Sequence, residues 1–235
     1  MSPGRRTGPV EAALAVTAVT VRERLEDVRR RIVSSGGDPG RVRIVAVTKG
    51  FGPDAVEAAV GAGLGDVGEN YAQELLSKAE LSPRGARWHF LGPVQRNKVA
   101  PLAEVVTTWH GIDREAEAQA IASSAPGVEA MVQVNVTGAP SRPGCMPSEV
   151  DDLVTRCRRL TLDLSGLMAV GPQGDPDGTR SSFHWLARKA RQLGLRELSM
   201  GMSDDFEMAI EAGATTLRLG RTLFGPRPSP AVVRR

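Results

Sequence analysis

Apolar residues follow two different spacings along this chain, one typical of helices and the other of buried strands. The first spacing predicts an amphipathic helix over about 10–35, because apolar residues recur there every three or four positions. These residues are Ala18, Val21, Leu25, Val28 and Ile32. The segment 42–48 is instead a short run of largely apolar and β-branched residues, which predicts a strand buried on both faces. It leads into Lys49, and Pro53 then fits the first position of a helix.

Strand and helix alternate along the rest of the chain. Further strands are predicted at about 66–68, 87–91, 107–112, 128–136, 162–170, 197–202 and 215–219. Helices are predicted between the strands, at about 53–61, 71–78, 95–102, 114–123, 148–160, 181–193 and 204–212. Eight strands that alternate with helices predict an α/β protein whose parallel sheet closes into a (β/α)8 TIM-type barrel. An open doubly wound sheet is the main alternative, but the first turn carries no G-x-G-x-x-G motif.

The chain is expected to form a single domain, because no linker divides it. A length of 235 residues is ample for a large core. The barrel with its extra N-terminal helix is expected to span residues 9–226. The Pro, Gly and Arg-rich leader at 1–8 is expected to be disordered, and 227–235 is expected to form a short C-terminal tail.

Composition excludes several classes of partner. The net charge is only +3 and no face or run concentrates it, so nucleic-acid binding is not expected. No uninterrupted apolar run reaches the length of a membrane span, and the apolar segment after the N-terminal arginines contains Glu11 and continues into the first helix, unlike a signal peptide. Cys145 and Cys157 show no metal-binding spacing, which suggests a reduced, cytoplasmic protein with Cys157 in the core.

In such a barrel the carboxyl ends of the strands meet at one mouth, so residues at those ends are the candidates for chemistry. They are Lys49, Asn70, His89, Gln95, His110, Asp113, Asn135, Met168, Ser199, Gly201, Ser203, Arg218 and Gly220. The segments 199–205 and 218–221 follow the last two strands, where barrels of this kind commonly bind phosphate. A helix N-terminus there would favour an anion, and the two aspartates after Ser203 should then point away from it. Alternatively, Ser203 or Asp204 only caps the next helix, with Glu207 completing a capping box.

Lys49 has two interpretations. A lysine after a strand is most often solvated or ion-paired. In a partly desolvated barrel mouth near other cations, the pKa of its amine would fall and the amine would become a nucleophile for carbonyls. A nucleophilic lysine beside a phosphate site suggests pyridoxal 5′-phosphate, with Arg218 at the ring nitrogen. A cation there would keep that nitrogen unprotonated and weaken the cofactor as an electron sink, although Arg218 could instead form a salt bridge at the end of the barrel.

The other polar candidates have simpler interpretations. His89 and His110 lack the spacing of a zinc site, so no metal site is predicted. His184 lies within a predicted helix and is expected to be structural. Asn70 followed by Gln73 is typical of a helix cap and its return partner.

Six segments, in this order along the chain, resemble the motifs of the pyridoxal phosphate homeostasis proteins. They are Val47–Lys49, Gly68–Tyr71, Trp88–Lys98, Gly166–Ala169, Ser199–Asp205 and Arg218–Gly220. The resemblance covers about residues 10–226 and implies a modified TIM barrel like the N-terminal domain of bacterial alanine racemase. It also implies that pyridoxal 5′-phosphate (PLP) is held on Lys49 as a Schiff base. Members of this family are described as binding, buffering or delivering the cofactor, with effects on vitamin B6 and amino-acid pools, and as lacking firm catalytic activity.

The resemblance also implies which residues bind the cofactor. Ser203, Gly220 and the main chain around Arg221 would hold the phosphate, and Arg218 would face the pyridine nitrogen. The residues lining the rest of the pocket would be Asn70, His89 and Met168. The full set expected to bind PLP is Lys49, Asn70, His89, Met168, Ser199, Met202, Ser203, Arg218, Gly220 and Arg221. No residue is assigned a catalytic role.

Two positions depart from the pattern that many family members show. Arg221 stands where many members have threonine, so a main-chain contact to phosphate would survive but a hydroxyl contact would not. The loop after the fifth strand reads Ser141–Gly144, where a lysine often precedes the glycine. Arg142 cannot form a transient imine as a lysine can, which disfavours cofactor transfer through this loop.

Three functions fit these residues. The leading one is a cytoplasmic, monomeric PLP carrier without robust turnover, acting in PLP homeostasis with PLP-dependent apo-enzymes as candidate recipients. The second is a PLP-dependent amino-acid racemase or related enzyme. The resemblance to alanine racemase implies that racemisation would need two bases, a lysine on one face of the cofactor and a tyrosine from a separate β domain on the other. This chain has one tyrosine, Tyr71, and no such domain is predicted. The third is a barrel that binds another phosphorylated metabolite, with Lys49 as a simple counter-ion.

Overall fold

The computed structural model describes residues 16–227 and forms a closed barrel of eight parallel strands in sequential order. The strands are β1 (Arg43–Val47), β2 (Asp66–Glu69), β3 (Arg87–Phe90), β4 (Val106–Ile112), β5 (Glu129–Val134), β6 (Asp163–Ala169), β7 (Glu197–Ser199) and β8 (Thr216–Leu219). The first strand pairs with the last in parallel, with Ala46 opposite Leu219. The prediction of a (β/α)8 barrel with an added N-terminal helix is therefore confirmed.

Helices separate the strands in the order that the sequence predicts. They are α1 (Ala18–Ser34), α2 (Pro53–Gly61), α3 (Ala72–Leu81), α4 (Arg96–Ala103), α5 (Glu115–Ser124), α6 (Val150–Cys157), α7 (Pro176–Gln192), α8 (Phe206–Glu211) and α9 (Arg221–Phe224). A 3-10 turn, Pro147–Glu149, leads into α6. The predicted leader at 1–8, and all of the predicted tail except Arg227, lie outside the described residues.

Helix boundaries differ from the predictions where side chains cap the ends. The first helix begins at Ala18, because Thr17 is extended and its hydroxyl accepts the N–H of Thr20 at 3.2 Å. The predicted start near residue 10 is therefore wrong for residues 16 and 17, and residues 10–15 lie outside the described part. Helix α7 begins at Pro176 rather than near 181, because the carboxylate of Asp175 accepts the N–H of Gly178 at 2.9 Å.

Two features near the last strands were not predicted. Strand β7 ends at Ser199 rather than at 202, and Gly201 adopts a φ of +93°, which turns the chain away from the sheet. The short helix α9 follows β8 directly, where no further element was expected. It packs against α1, so the first and last helices of the described residues lie side by side.

The core consists of the apolar helix faces packed around the barrel. Val21, Leu25, Val28 and Ile32 of α1 are fully or almost fully buried, as the helical spacing predicted. Cys157 is also buried in this core. The barrel interior is partly polar, because His89, His110, Ser199 and Arg218 are buried at its centre. Within residues 16–227, no helix is long and apolar enough to cross a membrane.

Candidate functional site

A cavity of about 610 Å³ opens at the carboxyl ends of the strands. Eight of the ten residues expected to bind a cofactor line it: Lys49, Asn70, Met168, Met202, Ser203, Arg218, Gly220 and Arg221. Strands β1, β6 and β8 and the loops after β2, β7 and β8 bring them together. The structure places the remaining two, His89 and Ser199, outside the lining and within the barrel interior.

Lys49 leaves β1 at the edge of a buried polar network. The hydroxyl of the preceding residue, Thr48, donates to Glu69 at 2.7 Å, and the amine of Lys78 donates to the Thr48 carbonyl at 2.8 Å. Lys78 also donates to Glu69 at 2.5 Å. These bonds fix the backbone from which the Lys49 side chain projects into the cavity.

The surroundings of Lys49 lower the pKa of its amine. Burial lowers the pKa of Lys49 below its usual value, and the positive charges of Arg227 and Arg218 lower it further. The carboxylates of Glu69 and Glu74 oppose this effect but do not cancel it. A lysine with a lowered pKa holds more of the unprotonated amine at neutral pH, which is the nucleophilic form.

Arg218 forms the floor of the cavity and is held rigidly. Its guanidinium donates to the Ser199 carbonyl at 2.6 Å, to the Ser199 hydroxyl at 2.8 Å and to the Ala169 carbonyl at 2.8 Å. Burial lowers the pKa of Arg218 to about 10, so the side chain remains a cation at neutral pH. No carboxylate among the described residues forms a salt bridge with Arg218, so the alternative of a salt bridge at the barrel end is wrong.

The expected phosphate corner is formed by the loop after β7 and the start of α9. The N–H of Thr222 donates to the Ser203 hydroxyl at 3.1 Å, which joins these two segments. Because Ser203 accepts this bond, its own O–H is available to donate into the cavity. A side chain at Gly220 would come within 3.1 Å of the Val47 carbonyl, so glycine keeps the backbone close to β1.

The capping interpretation of this loop is wrong in detail. Helix α8 starts at Phe206 with Asp205 as its N-cap, and the Asp205 carboxylate accepts the N–H of Met202 at 2.6 Å. Glu207 does not return to the cap but pairs with Arg31 of α1, whose Nε donates at 2.7 Å. Neither Ser203 nor Asp204 is therefore the N-cap.

Asp204 lies at the cavity rim and does not point away from it. Its carboxylate pairs with the guanidinium of Arg221, and both side chains are largely exposed. The ion pair offsets the negative charge at the rim, which weakens the repulsion that an anion would meet. Arg221 therefore has a partner at the rim.

Asn70 and Tyr71 also differ from their simplest interpretation. Helix α3 begins at Ala72 after Tyr71, and no side chain caps it, so Asn70 is not the predicted cap. Asn70 instead lines the cavity. Tyr71 is 62% exposed and lies in a separate surface recess between α2 and α3.

His89 and Ser199 belong to a hydrogen-bonded chain beneath the cavity. The two nitrogens of His89 lie 2.9 Å from Nε2 of His110 and 2.9 Å from a carboxylate oxygen of Asp66. Nδ1 of His110 lies 2.8 Å from the Ser199 hydroxyl, which also contacts Arg218. His89 therefore lies outside the cavity lining, between His110 and the first residue of β2.

Sequence reasoning missed two parts of this site. Arg227 was assigned to the tail, yet it lines the cavity, and its side chain passes over Gly50 next to Lys49. The buried ion pair of Lys78 and Glu69 was also missed. Glu69 lies at the end of a buried strand, and a charged residue in such a place indicates a buried partner of opposite charge. No group of three potential metal ligands occurs in the described part of the chain.

Chemically, the cavity combines a nucleophilic amine with sites for an anion. Lys49 lies in the same cavity as the cations Arg218, Arg221 and Arg227. Asp204 is the one carboxylate among the described lining residues. The arrangement can therefore bind an anionic carbonyl compound and condense with it, but it offers few groups for moving protons.

Comparison with known proteins identifies close relatives of the chain. The family described as alanine racemase, N-terminal domain, matches residues 20–228. The pyridoxal phosphate homeostasis protein of Pseudomonas aeruginosa is 41% identical over 224 residues, covering 88% of this chain and 96% of the relative. The protein of the same description from Escherichia coli K12 is 33% identical over 227 residues, covering 88% and 97%.

Solved structures agree with this assignment. PipY of Synechococcus elongatus, solved with PLP bound, superimposes with a TM-score of 0.75 at 31% identity and covers 87% of this chain and 100% of its own. Alanine racemase of Corynebacterium glutamicum shares the fold, with a TM-score of 0.67 at 14% identity, over 92% of this chain and 63% of its own. The chain therefore belongs to the alanine racemase N-terminal domain family and, within it, to the pyridoxal phosphate homeostasis proteins.

Proposed function

We propose that this protein binds PLP in the barrel-mouth cavity and acts in PLP homeostasis. The observation that carries the proposal is the position of Lys49, whose pKa is lowered by burial and by nearby arginines, in one cavity with Arg218 and Ser203. The pyridoxal phosphate homeostasis proteins among its relatives, and PipY with PLP bound, support the same ligand.

The residues present fit this cofactor. PLP supplies an aldehyde, with which a primary amine condenses to a C=N bond as one water leaves. Lys49 would provide the amine as a Schiff-base lysine, and Arg218 would face the ring nitrogen. Ser203, Gly220 and the main chain around Arg221 would hold the phosphate, at the point where the N–H of Thr222 joins the start of α9 to Ser203. Asn70, Met168 and Met202 would flank the ring.

The same residues favour a carrier over an enzyme. Arg218 is a fixed cation, and a cation at the ring nitrogen keeps that nitrogen unprotonated and limits carbanion stabilisation. Tyr71, the tyrosine that a racemase of this type would need, lies outside the cavity lining. Among the described lining residues, the only carboxylate is ion-paired at the rim, so a positioned second base is missing.

An absorption experiment tests the proposal. Purified protein incubated with PLP should become yellow, and borohydride should remove the colour while fixing the cofactor to the chain. Lys49→Ala should stay colourless, whereas the exposed lysine of α4 offers a matched control, Lys98→Ala, that should behave as wild type. Wild-type protein that takes up no PLP would refute the proposal and favour another phosphorylated ligand.

The racemase alternative needs its own measurement. Holo-protein that binds PLP stoichiometrically should leave a panel of D- and L-amino acids unchanged when their enantiomers are separated by chromatography. Inversion that is lost in Lys49→Ala would instead establish an enzyme.

We further propose that the protein is a cytoplasmic monomer that supplies PLP to apo-enzymes. The cavity is open at the barrel mouth, so cofactor exchange with another protein does not require the barrel to unfold. Light scattering of the purified protein measures its mass, and transfer is measured by activation of a PLP-free transaminase. A stable oligomer, or activation no faster than by free PLP, would contradict these two statements.

A further inference from the structure

A continuous chain of hydrogen bonds crosses the barrel interior from its amino end to the floor of the cavity. Asp66, the first residue of β2, contacts Nε2 of His89 at 2.9 Å, and Nδ1 of His89 contacts Nε2 of His110 at 2.9 Å. Nδ1 of His110 then contacts the Ser199 hydroxyl at 2.8 Å, and this hydroxyl contacts Arg218 at 2.8 Å. Both imidazole rings are almost completely buried.

With one proton on each imidazole ring, the two ends of the chain determine where every proton lies. An ionised carboxylate only accepts hydrogen bonds and a guanidinium only donates them. Asp66 therefore receives the Nε2 proton of His89, which leaves Nδ1 of His89 to accept from Nε2 of His110. Nδ1 of His110 must then accept from the Ser199 hydroxyl, whose lone pairs accept from Arg218. All four hydrogen bonds run in one direction, from Arg218 to Asp66.

The electrostatic surroundings support this proton arrangement. Burial raises the pKa of Asp66, but the hydrogen bonds from His89 and Arg87 outweigh this and hold it well below its usual range, so the carboxylate is ionised. Burial, His89, and the charges of Arg218 and Arg43 together lower the pKa of His110 well below its usual value. His110 is therefore neutral and must exist as one tautomer.

The charged groups around the two rings are themselves paired. Arg43 of β1 pairs with Glu129 of β5 at 3.1 Å, and the same carboxylate accepts from the Thr108 hydroxyl of β4 at 3.1 Å. Arg87 of β3 pairs with Asp66 at 2.6 Å. Apart from Arg218, the nearby charges are thus compensated, and Asp66 is the anion in direct contact with the histidines.

We propose that His89, His110 and Ser199 are positioning residues that orient Arg218 toward the bound cofactor and link its orientation to Asp66 at the opposite end of the barrel. This inference rests on the proposed PLP site only through Arg218, because the proton arrangement of the histidines exists without any ligand. It gives His89 and Ser199, which do not line the cavity, an indirect role in the site.

The arrangement also lets a proton gained by His89 change the hydrogen bonds at the other end of the chain. A proton added to Nδ1 of His89 would turn that nitrogen into a donor, and His110 could accept it only by moving its own proton from Nε2 to Nδ1. The Ser199 hydroxyl would then accept from both His110 and Arg218 and lose its acceptor. A change at the amino end of the barrel would thereby place a second donor on the Ser199 hydroxyl that Arg218 contacts at the cavity floor.

Nitrogen NMR of the PLP-free protein tests the proton arrangement directly. The sequence has three histidines, and the third, exposed His184, serves as an internal reference. We expect one protonated and one unprotonated nitrogen in each buried ring, with the proton on Nε2 in both. A proton on Nδ1 of His110 would overturn the proposal.

A matched pair of variants tests the link to the cofactor. Asp66→Leu removes the acceptor at the end of the chain, and Asp163→Leu removes the corresponding first residue of β6, which pairs with Arg196 but contacts no histidine. In Asp66→Leu, we expect a second His110 tautomer, a shifted absorption maximum of bound PLP and about tenfold weaker PLP binding, equivalent to about 1.4 kcal/mol. Asp163→Leu should match wild type in all three measurements.

Ser199→Ala provides a second test if Asp66→Leu does not fold. It keeps Asp66 and both histidines but removes the hydroxyl between His110 and Arg218, so the PLP spectrum should shift in the same way. Wild-type spectra and affinities in both variants, or in Ser199→Ala alone where Asp66→Leu is unfolded, would refute the positioning role. A wild-type protein that binds no PLP would refute the proposed function instead and would leave the NMR result standing.

Discussion

The buried ion pair beneath Lys49 makes a specific prediction about stability. The side chain of Glu69 is completely buried and that of Lys78 is 6% exposed, with 2.5 Å between the amine and the carboxylate. The second carboxylate oxygen of Glu69 has no hydrogen-bond partner among the described residues. In Lys78→Met, Glu69 would keep only the hydrogen bond from Thr48. Removing one partner of a buried pair costs about 3–5 kcal/mol, because it leaves an uncompensated buried charge.

The loss should depend on pH in a definite direction. Burial raises the pKa of Glu69 above its usual value, while Lys78 and Thr48 act to lower it. Without Lys78 the folded-state pKa rises further, so Glu69 can escape the penalty by binding a proton. The destabilisation of Lys78→Met should therefore be complete above that pKa and fade as the pH falls through it.

Urea unfolding followed by tryptophan fluorescence measures this effect, since Trp88 and Trp109 are buried in the native state. The exposed Lys98 gives the control Lys98→Met, which should remain within about 0.5 kcal/mol of wild type. Adding Glu69→Gln to Lys78→Met should recover part of the stability at neutral and alkaline pH. A free energy of unfolding for Lys78→Met within about 1 kcal/mol of wild type at every pH, as for a surface pair, would refute this reasoning.

Three further predictions concern the rest of the barrel. Gly201→Ala should lower the free energy of unfolding in urea by about 1–3 kcal/mol, because its new Cβ would lie 2.7 Å from the Cβ of Ala209. Gly174→Ala, which has a positive φ but open space around it, should lower this free energy less. Equal losses in the two variants would contradict the role of the clash. Cys145 and Cys157 should react with a thiol reagent only after unfolding, because burial, aided by nearby carboxylates, raises their pKa values to about 12 and about 11; rapid labelling of native protein would disprove this. Asp175→Ala should lower the free energy of unfolding by about 1 kcal/mol, because it removes the N-cap of α7. An unchanged free energy of unfolding in urea would show that this cap is dispensable.

The sequence predicted elements better than it predicted their ends. Strand and helix order could be recovered because the spacing of apolar residues is a local property of the chain. The start of α7 at Pro176 was missed because its first turn is polar, and only the hydrogen bond from Gly178 to Asp175 marks it as helical. The capping box at Asp204 was wrong because Glu207 finds a stronger partner in Arg31, which lies 176 positions away in the chain.

The sequence by itself determined the barrel, its mouth and Lys49, since strand ends and glycine-rich turns are encoded in neighbouring residues. Only the tertiary structure decided that Met168 lines the cavity, whereas His89 and Ser199 lie beneath it. Barrel strands are buried on both faces, so hydropathy does not show which way a side chain points. The bond between His110 and Ser199 joins residues 89 positions apart, and Arg227 reaches Lys49 from the far end of the described chain. Contacts of this kind form only when the barrel closes, because closure brings β8 and the segment after it against β1 and places β4 opposite β7 across the barrel interior.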